Sequence, residues 1–419
     1  AKTREELEKL QEMVLRIESR LRRLQQSKKI SEKVNFASYI QGLTPQEIQE
    51  VSQIRQEVSQ IPEELLNSSL YRDLANFYAL SGSHGEAEKL FQRALEKAKK
   101  SRQEREEALV YYNLFLSHLA KTPPDLSQAL EWYQKSLSFS PEVIREMELF
   151  DSAHYKPLSI LGMGGFGIDF LCEDQYLGGK VVVKAIQEEL TNSEEALKEA
   201  RMLHKLHSPY MVPLKGCNFV LPHQKKKAYL VMEYFPGEDL EKWVKAHGAF
   251  PAERALEIGR DISRGILEAH RAKILHRDLK PSNILYRETE KGFELKIIDF
   301  GLALKDDKYF QEGNLYVVSQ RTGILGSSFA GTLDFGAPEQ LGKPGFTQFQ
   351  VGPWSDVYSF GRLMFYLLFQ TPFPNPEELF DYPHKDLVRF LSRCIYDHPG
   401  KRLQNFEEVL KELEGLLGG

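Results

Sequence analysis

Cysteine is scarce: Cys172, Cys217 and Cys394 are the three in 419 residues. With no C-x-x-C pair, neither a disulfide framework nor a zinc knuckle is indicated, and a reducing, cytoplasmic setting is the simplest reading. Long apolar runs are missing too. The most apolar stretch, residues 360–369, is interrupted by Arg362 and is shorter than the roughly 20 residues a bilayer-spanning helix needs, so it reads as a buried helix. Nor does one sign of charge dominate. A net charge of -5 gives no general attraction to nucleic acid or to an anionic membrane, and the basic run at residues 223–229 reads as a solvated turn between strands. No basic-then-apolar leader opens the chain, which therefore reads as an internal piece of something longer or a trimmed one, with a membrane segment upstream left open.

What remains is an ordinary globular composition, 42% hydrophobic and 27% charged, long enough for two or three domains. Its first part is helical. Leu7, Leu10, Val14, Ile17, Leu21 and Leu24 alternate spacings of three and four, a heptad seam. Residues 1–30 thus form either a short coiled coil that pairs two chains through residues 1–27 or one amphipathic helix packed on the rest of the protein.

A second helical region, residues 44–150, opens with Thr44, Pro45 and Glu47 in a capping box. Tyr71, Leu74, Ala75 and Tyr78 then precede a glycine turn and Ala87, Phe91 and Ala94. A looser copy carries Tyr111, Leu114 and His118, then Ala129, Tyr133 and Ser136. This pattern resembles tetratricopeptide repeats, whose small residues let two helices approach closely; a plain helical bundle is the alternative. The resemblance implies a surface for a protein or peptide partner.

Beyond Asp151 the pattern changes to short β-branched runs followed by long helices. Gly162, Gly164 and Gly167 stand in a G-x-G-x-x-G arrangement, but residues 168–174 read as a strand, where a dinucleotide fold would want a helix. Then follow "VVVK" ending in Lys184, Glu199 in a helical stretch, "HRDLKPSN" from His276 to Asn283, "DFG" from Asp299, "APE" ending in Glu339, Asp356 in "WSDVYSFG" and Arg402 in "DHPGKRL".

In that order and at those spacings, residues 155–416 resemble the eukaryotic-type Ser/Thr protein kinase family. The fold expected is multidomain: an all-α tetratricopeptide-like region, then an α+β bilobal kinase, with a small lobe at 155–232 and a large lobe at 236–416. The resemblance implies ATP and Mg²⁺ as cosubstrates and protein hydroxyls as acceptors. It gives Asp278 the substrate hydroxyl, Lys280 the placement seen in kinases acting on Ser and Thr, Lys184 the phosphates, Glu199 a pairing with Lys184, and Asn283 and Asp299 the metal ions. The nucleotide pocket it implies takes Gly162, Gly164, Gly165, Phe166, Gly167, Asp169, Val182, Met232, Glu233, Phe235 and Leu285. His276 is implied to pack in an internal spine with Leu203, Leu214 and Phe300, Glu339 to pair with Arg402 in a buried structural contact, and Asp356 to anchor the catalytic loop. The segment from Asp299 to Glu339, 41 residues inclusive, is long for the family, and Thr322, Ser327 and Ser328 are candidate phosphorylation sites there. Gln340 after the APE motif looks more like bacterial members.

The sequence departs from the family at Asp169, usually valine, and at Val182, usually alanine. Regular alternation points Asp169 at the nucleotide; a bulge would turn it to water. An active enzyme, an autoinhibited one, a scaffold that transfers no phosphate, and an enzyme transferring another part of ATP all stay open.

Overall fold

The computed structural model describes residues 2–164, 167–187, 193–300 and 333–418. Helix α1 (Arg4–Lys28) starts at a capping box in which the Thr3 side chain accepts from the Glu6 N–H and the Glu6 carboxylate accepts from the Thr3 N–H. The seam of α1 divides. Ile17, Leu21 and Leu24 are buried in the chain's own core, while Leu7 stays exposed. A short helix, α2 (Phe36–Gln41), and α3 (Pro45–Ser59) follow, the latter capped by Thr44 and Glu47 as the sequence suggests.

Two helical hairpins come next: α4 (Ser68–Leu80) with α5 (His84–Lys100), and α6 (Glu104–Leu119) with α7 (Leu126–Ser136). Between α4 and α5, Gly82 adopts φ 88° and the Ser83 N–H bonds back to the Tyr78 carbonyl, a glycine-terminated helix end. Tyr71, Leu74, Ala75, Ala87, Phe91 and Ala94, and their counterparts from Tyr111 to Ser136, are all buried. The last helix of this region is α8 (Pro141–Met147).

Five antiparallel strands then form one sheet in the order β1 (Tyr155–Gly164), β2 (Gly167–Asp174), β3 (Lys180–Ile186), β5 (Lys226–Glu233), β4 (Leu214–Leu221), with α9 (Ser193–His204) between β3 and β4. Alternation gives the sheet two apolar faces. Ile168, Phe170, Val181, Val183, Tyr229 and Val231 point away from the cleft and join the helical region in one continuous core. Phe170 lies 5.3 Å from the Tyr133 ring and 4.9 Å from Phe150. The junction is polar at its edge. Lys227 of β5 donates to the carbonyls of Arg145, Glu146 and Glu148 at the C-terminus of α8, where negative carbonyl ends attract a cation. The basic run around it is thus only partly the solvated turn its composition suggests.

The large lobe has a core of its own. It holds a three-stranded sheet, β6 (Glu238–Asp239), β7 (Ile284–Thr289) and β8 (Gly292–Ile297), and helices α10 (Leu240–His247), α11 (Ala252–Arg271), α12 (Pro353–Phe369), α13 (Pro376–Asp381), α14 (Lys385–Cys394) and α15 (Phe406–Gly418). Among the described residues no helix is long and apolar enough to cross a membrane.

Candidate active site

The site lies where β2 and β3 face the loop between α11 and β7. Regular pairing of Asp169 with Lys184 across β2 and β3 keeps the alternation intact, so the bulge that would turn Asp169 to water does not form. Its Oδ1 sits 2.8 Å from Lys184 Nζ, and Asp299 Oδ1 sits 2.9 Å from the same ammonium. Lys184 thereby joins the two lobes. Burial raises the Asp169 carboxyl above the ordinary aspartate range, against the pull of Lys184. Burial also works against the Lys184 charge, but the two carboxylates outweigh it and hold its pKa above that of a free lysine.

Gly167 shows why a glycine stands there: a Cβ would come within 2.8 Å of Lys184 Cγ and 2.9 Å of the Ala185 carbonyl. Gly162 and Gly164 lie on β1, paired with Asp169 and Gly167. Gly165, Phe166, Thr322, Ser327 and Ser328 fall outside the described residues, as does the side chain of Glu199. Val182 pairs with Met232 across β3 and β5, beside Leu171. β5 ends at Glu233, whose N–H is taken by the Pro213 carbonyl. The Phe235 ring lies under the Arg287 guanidinium at 5.0 Å. Leu285 is half-buried on β7.

The second cluster is the loop itself. Asn283 Nδ2 donates to the Asp278 carbonyl at 2.7 Å and to Oδ2 at 3.2 Å, and Lys280 Nζ lies 3.6 Å from that same Oδ2. The loop's backbone is held from below by Asp356, which accepts from the N–H groups of His276 and Arg277 at 2.9 Å each and has His270 Nε2 at 2.7 Å. Burial opposes ionisation of Asp356, yet the His270 contact and these donors overcome it and lower its pKa. Arg277 and Asp299 adopt left-handed backbone, φ 68° and 57°, a conformation that is costly outside glycine and persists where surroundings enforce it. For Arg277 the enforcement includes a Gln340 side-chain bond to its carbonyl.

His276 accepts at Nδ1 from the Asp278 N–H, 3.1 Å, while Nε2 lies 2.8 Å from the Ile298 carbonyl, which can only accept. Both bonds require the neutral ring protonated at Nε2, and its 4.5 Å contact with the Phe300 ring makes it a packing group. Burial, the main cause, lowers its pKa below the ordinary histidine range. A group of this kind contributes stability above its unfolded pKa that is lost as pH falls. The stability gap between the natural chain and His276→Phe is therefore expected to narrow from pH 7.5 to 5, by up to about 1.4 kcal/mol per unit. Urea melts of both proteins check this; a constant gap contradicts it.

Below the site, Arg402 meets Glu339 with two bonds of 2.6 and 2.9 Å, and Ser355 Oγ donates to the same carboxylate at 2.7 Å. Sequence reasoning missed His270, Gln340 as a loop support, and Lys227. Nothing local distinguishes these residues; only the fold brings them to their partners.

Residues 155–414 match the protein kinase domain family. That is more than half of the chain, and the chain belongs to this family. It is 33% identical over 214 residues to a serine/threonine-protein kinase of Corynebacterium efficiens, covering 50% of this chain and 37% of that one. A serine/threonine-protein kinase of Myxococcus xanthus is 31% identical over 227 residues, 53% of this chain and 25% of its own length. The chain thus spans well under half the length of these curated relatives. Among solved structures, the kinase domain of Mycobacterium tuberculosis PknI is 18% identical, with a TM-score of 0.47 over 63% of this chain and 96% of that one.

Proposed function

We propose that the protein is a serine/threonine protein kinase using ATP and Mg²⁺, with a helical region that recruits a partner or regulates the kinase. The observation that carries this reading is the loop cluster: a carboxylate, Asp278, flanked by Lys280 and Asn283 and fixed from below by Asp356. The residues fit the cosubstrate. Nδ2 of Asn283 is engaged by Asp278, so its amide oxygen is the atom to meet a cation, and with the Asp299 carboxylate it forms the hard oxygen set Mg²⁺ prefers. Lys184 is the cation for the phosphates. Bound there, Mg-ATP supplies the transferable γ-phosphoryl group and neutralises its charge.

Asp278 would orient a Ser or Thr hydroxyl and take its proton as the new O–P bond forms and the bond to ADP breaks. Lys280, beside Asp278, would balance negative charge on the transferring group. Asp169 sets the condition. Lys184 must shift from Asp169 toward phosphate oxygens, and an anion within reach of ATP's own charge weakens binding. Asp169→Val is expected to tighten ATP binding by about tenfold, a coupling of ~1.4 kcal/mol, measured by fluorescence of a labelled nucleotide. Unchanged affinity would show that Asp169 does not restrain Lys184.

The ion pair to Asp169 also favours a second reading, a scaffold whose kinase fold transmits binding without transfer. Phosphate incorporation from labelled ATP separates the two: the enzyme labels substrate or itself, the scaffold labels nothing. The intact-mass shift of the labelled product would separate phosphoryl transfer from transfer of AMP.

A further inference from the structure

One face of the helical hairpins holds a segment of the chain itself. Between α1 and α2 the backbone runs without helix or strand, and Asn113 of α6, fully buried, reads it with both ends of its amide. Oδ1 accepts from the Val34 N–H at 3.0 Å and Nδ2 donates to the Glu32 carbonyl at 3.0 Å. Side chains complete the fit. Val34 and Phe36 are buried, the Lys33 ammonium lies over the Tyr112 ring at 4.9 Å, and Glu32 pairs with Arg105 at 2.8 Å. A two-point grip on main chain, with side-chain sites on either hand, is how a groove binds an extended peptide.

We propose that this face of α6 is a docking groove for a protein segment that is extended up to its aromatic residue, and that residues 32–36, the last of which opens α2, fill it in cis as a displaceable stand-in. The stand-in defines the partner's chemistry: an acidic residue, a basic one, then a β-branched residue, with an aromatic two positions on. The proposal rests on the recruiting role of the helical region and not on phosphate transfer. Its reach extends to the kinase. Lys33 Nζ donates to the Glu146 carbonyl at 2.8 Å, the same oxygen that Lys227 of β5 engages at 2.7 Å. Releasing the segment removes one of the two ammonium groups on that carbonyl, at the joint between α8 and the small-lobe sheet.

The test is hydrogen exchange on the full natural chain with and without an excess of a peptide of residues 29–41, beside a control peptide carrying Val34→Asp. Added peptide is expected to lower protection of the chain's own residues 32–36 by about tenfold or more while α4 to α7 stay protected, and the control to do nothing. A labelled copy is expected to bind a Val34→Asp chain more tightly than the natural one, because cis occupancy lowers apparent affinity. Residues 32–36 that exchange only together with α4 to α7, or a peptide that fails to displace them, overturn the proposal. Partner capture by the helical region with residues 32–36 unchanged would do so too, yet leave recruitment standing.

Discussion

Asp278→Asn is expected to lower the rate of phosphate transfer by roughly 10²- to 10⁴-fold, the range over which a positioned acid or base acts. The substitution is nearly isosteric. Asn283 donates to the Asp278 backbone carbonyl as well as to its carboxylate, so the loop keeps its stronger tie, and Asp356 holds the neighbouring N–H groups regardless. Folding and nucleotide binding should therefore survive, and the loss should fall on the rate. Initial rates with labelled ATP at saturating nucleotide, beside a thermal melt, check both halves. A variant that keeps more than a tenth of the natural rate would remove Asp278 from the chemistry.

Arg402→Ala should act in the opposite way, through stability. The Glu339 carboxylate, buried with no exposed side-chain surface, would keep only Ser355 of the two side chains that now satisfy it. Removing one partner of a buried pair costs about 3–5 kcal/mol, against total stabilities of about 5–15 kcal/mol. Arg402 also donates to the carbonyls of Tyr396, Trp354 and Asp397, so the lesion spreads over three chain segments. A fall in melting temperature of several degrees, with activity per folded molecule retained at low temperature, is the expected result. Chemical denaturation that leaves the midpoint unmoved would contradict it.

The second half of the fold was legible because its motifs are short and ordered: a glycine turn, a strand lysine, and a loop whose residues meet each other over five positions. Alternation offered Asp169 to the cleft only if no bulge intervened, and the structure adds both the regular pairing and what alternation could not, that Lys184 receives it. The helical hairpins were legible at the positions where small and aromatic residues interlock. What stayed hidden depends on long-range meetings. His270 reaches Asp356 across 86 positions of chain and Lys227 reaches Glu146 across 81, and no local periodicity encodes such distances. The seam of α1 was ambiguous because a helix face that packs at home and one that packs on a second copy have the same spacing; here its later half packs at home.

The core shared by the helices and one face of the five-stranded sheet leads to the expectation that the border drawn by sequence kinship at residue 155 and the border of cooperative unfolding do not coincide. The small lobe is expected to melt with the helices before it, and the large lobe, with its separate core, to unfold apart from them. The division most easily opened then runs through the cleft, spanned by Lys184. The helices ahead of the kinase are in this sense a wall of its smaller half.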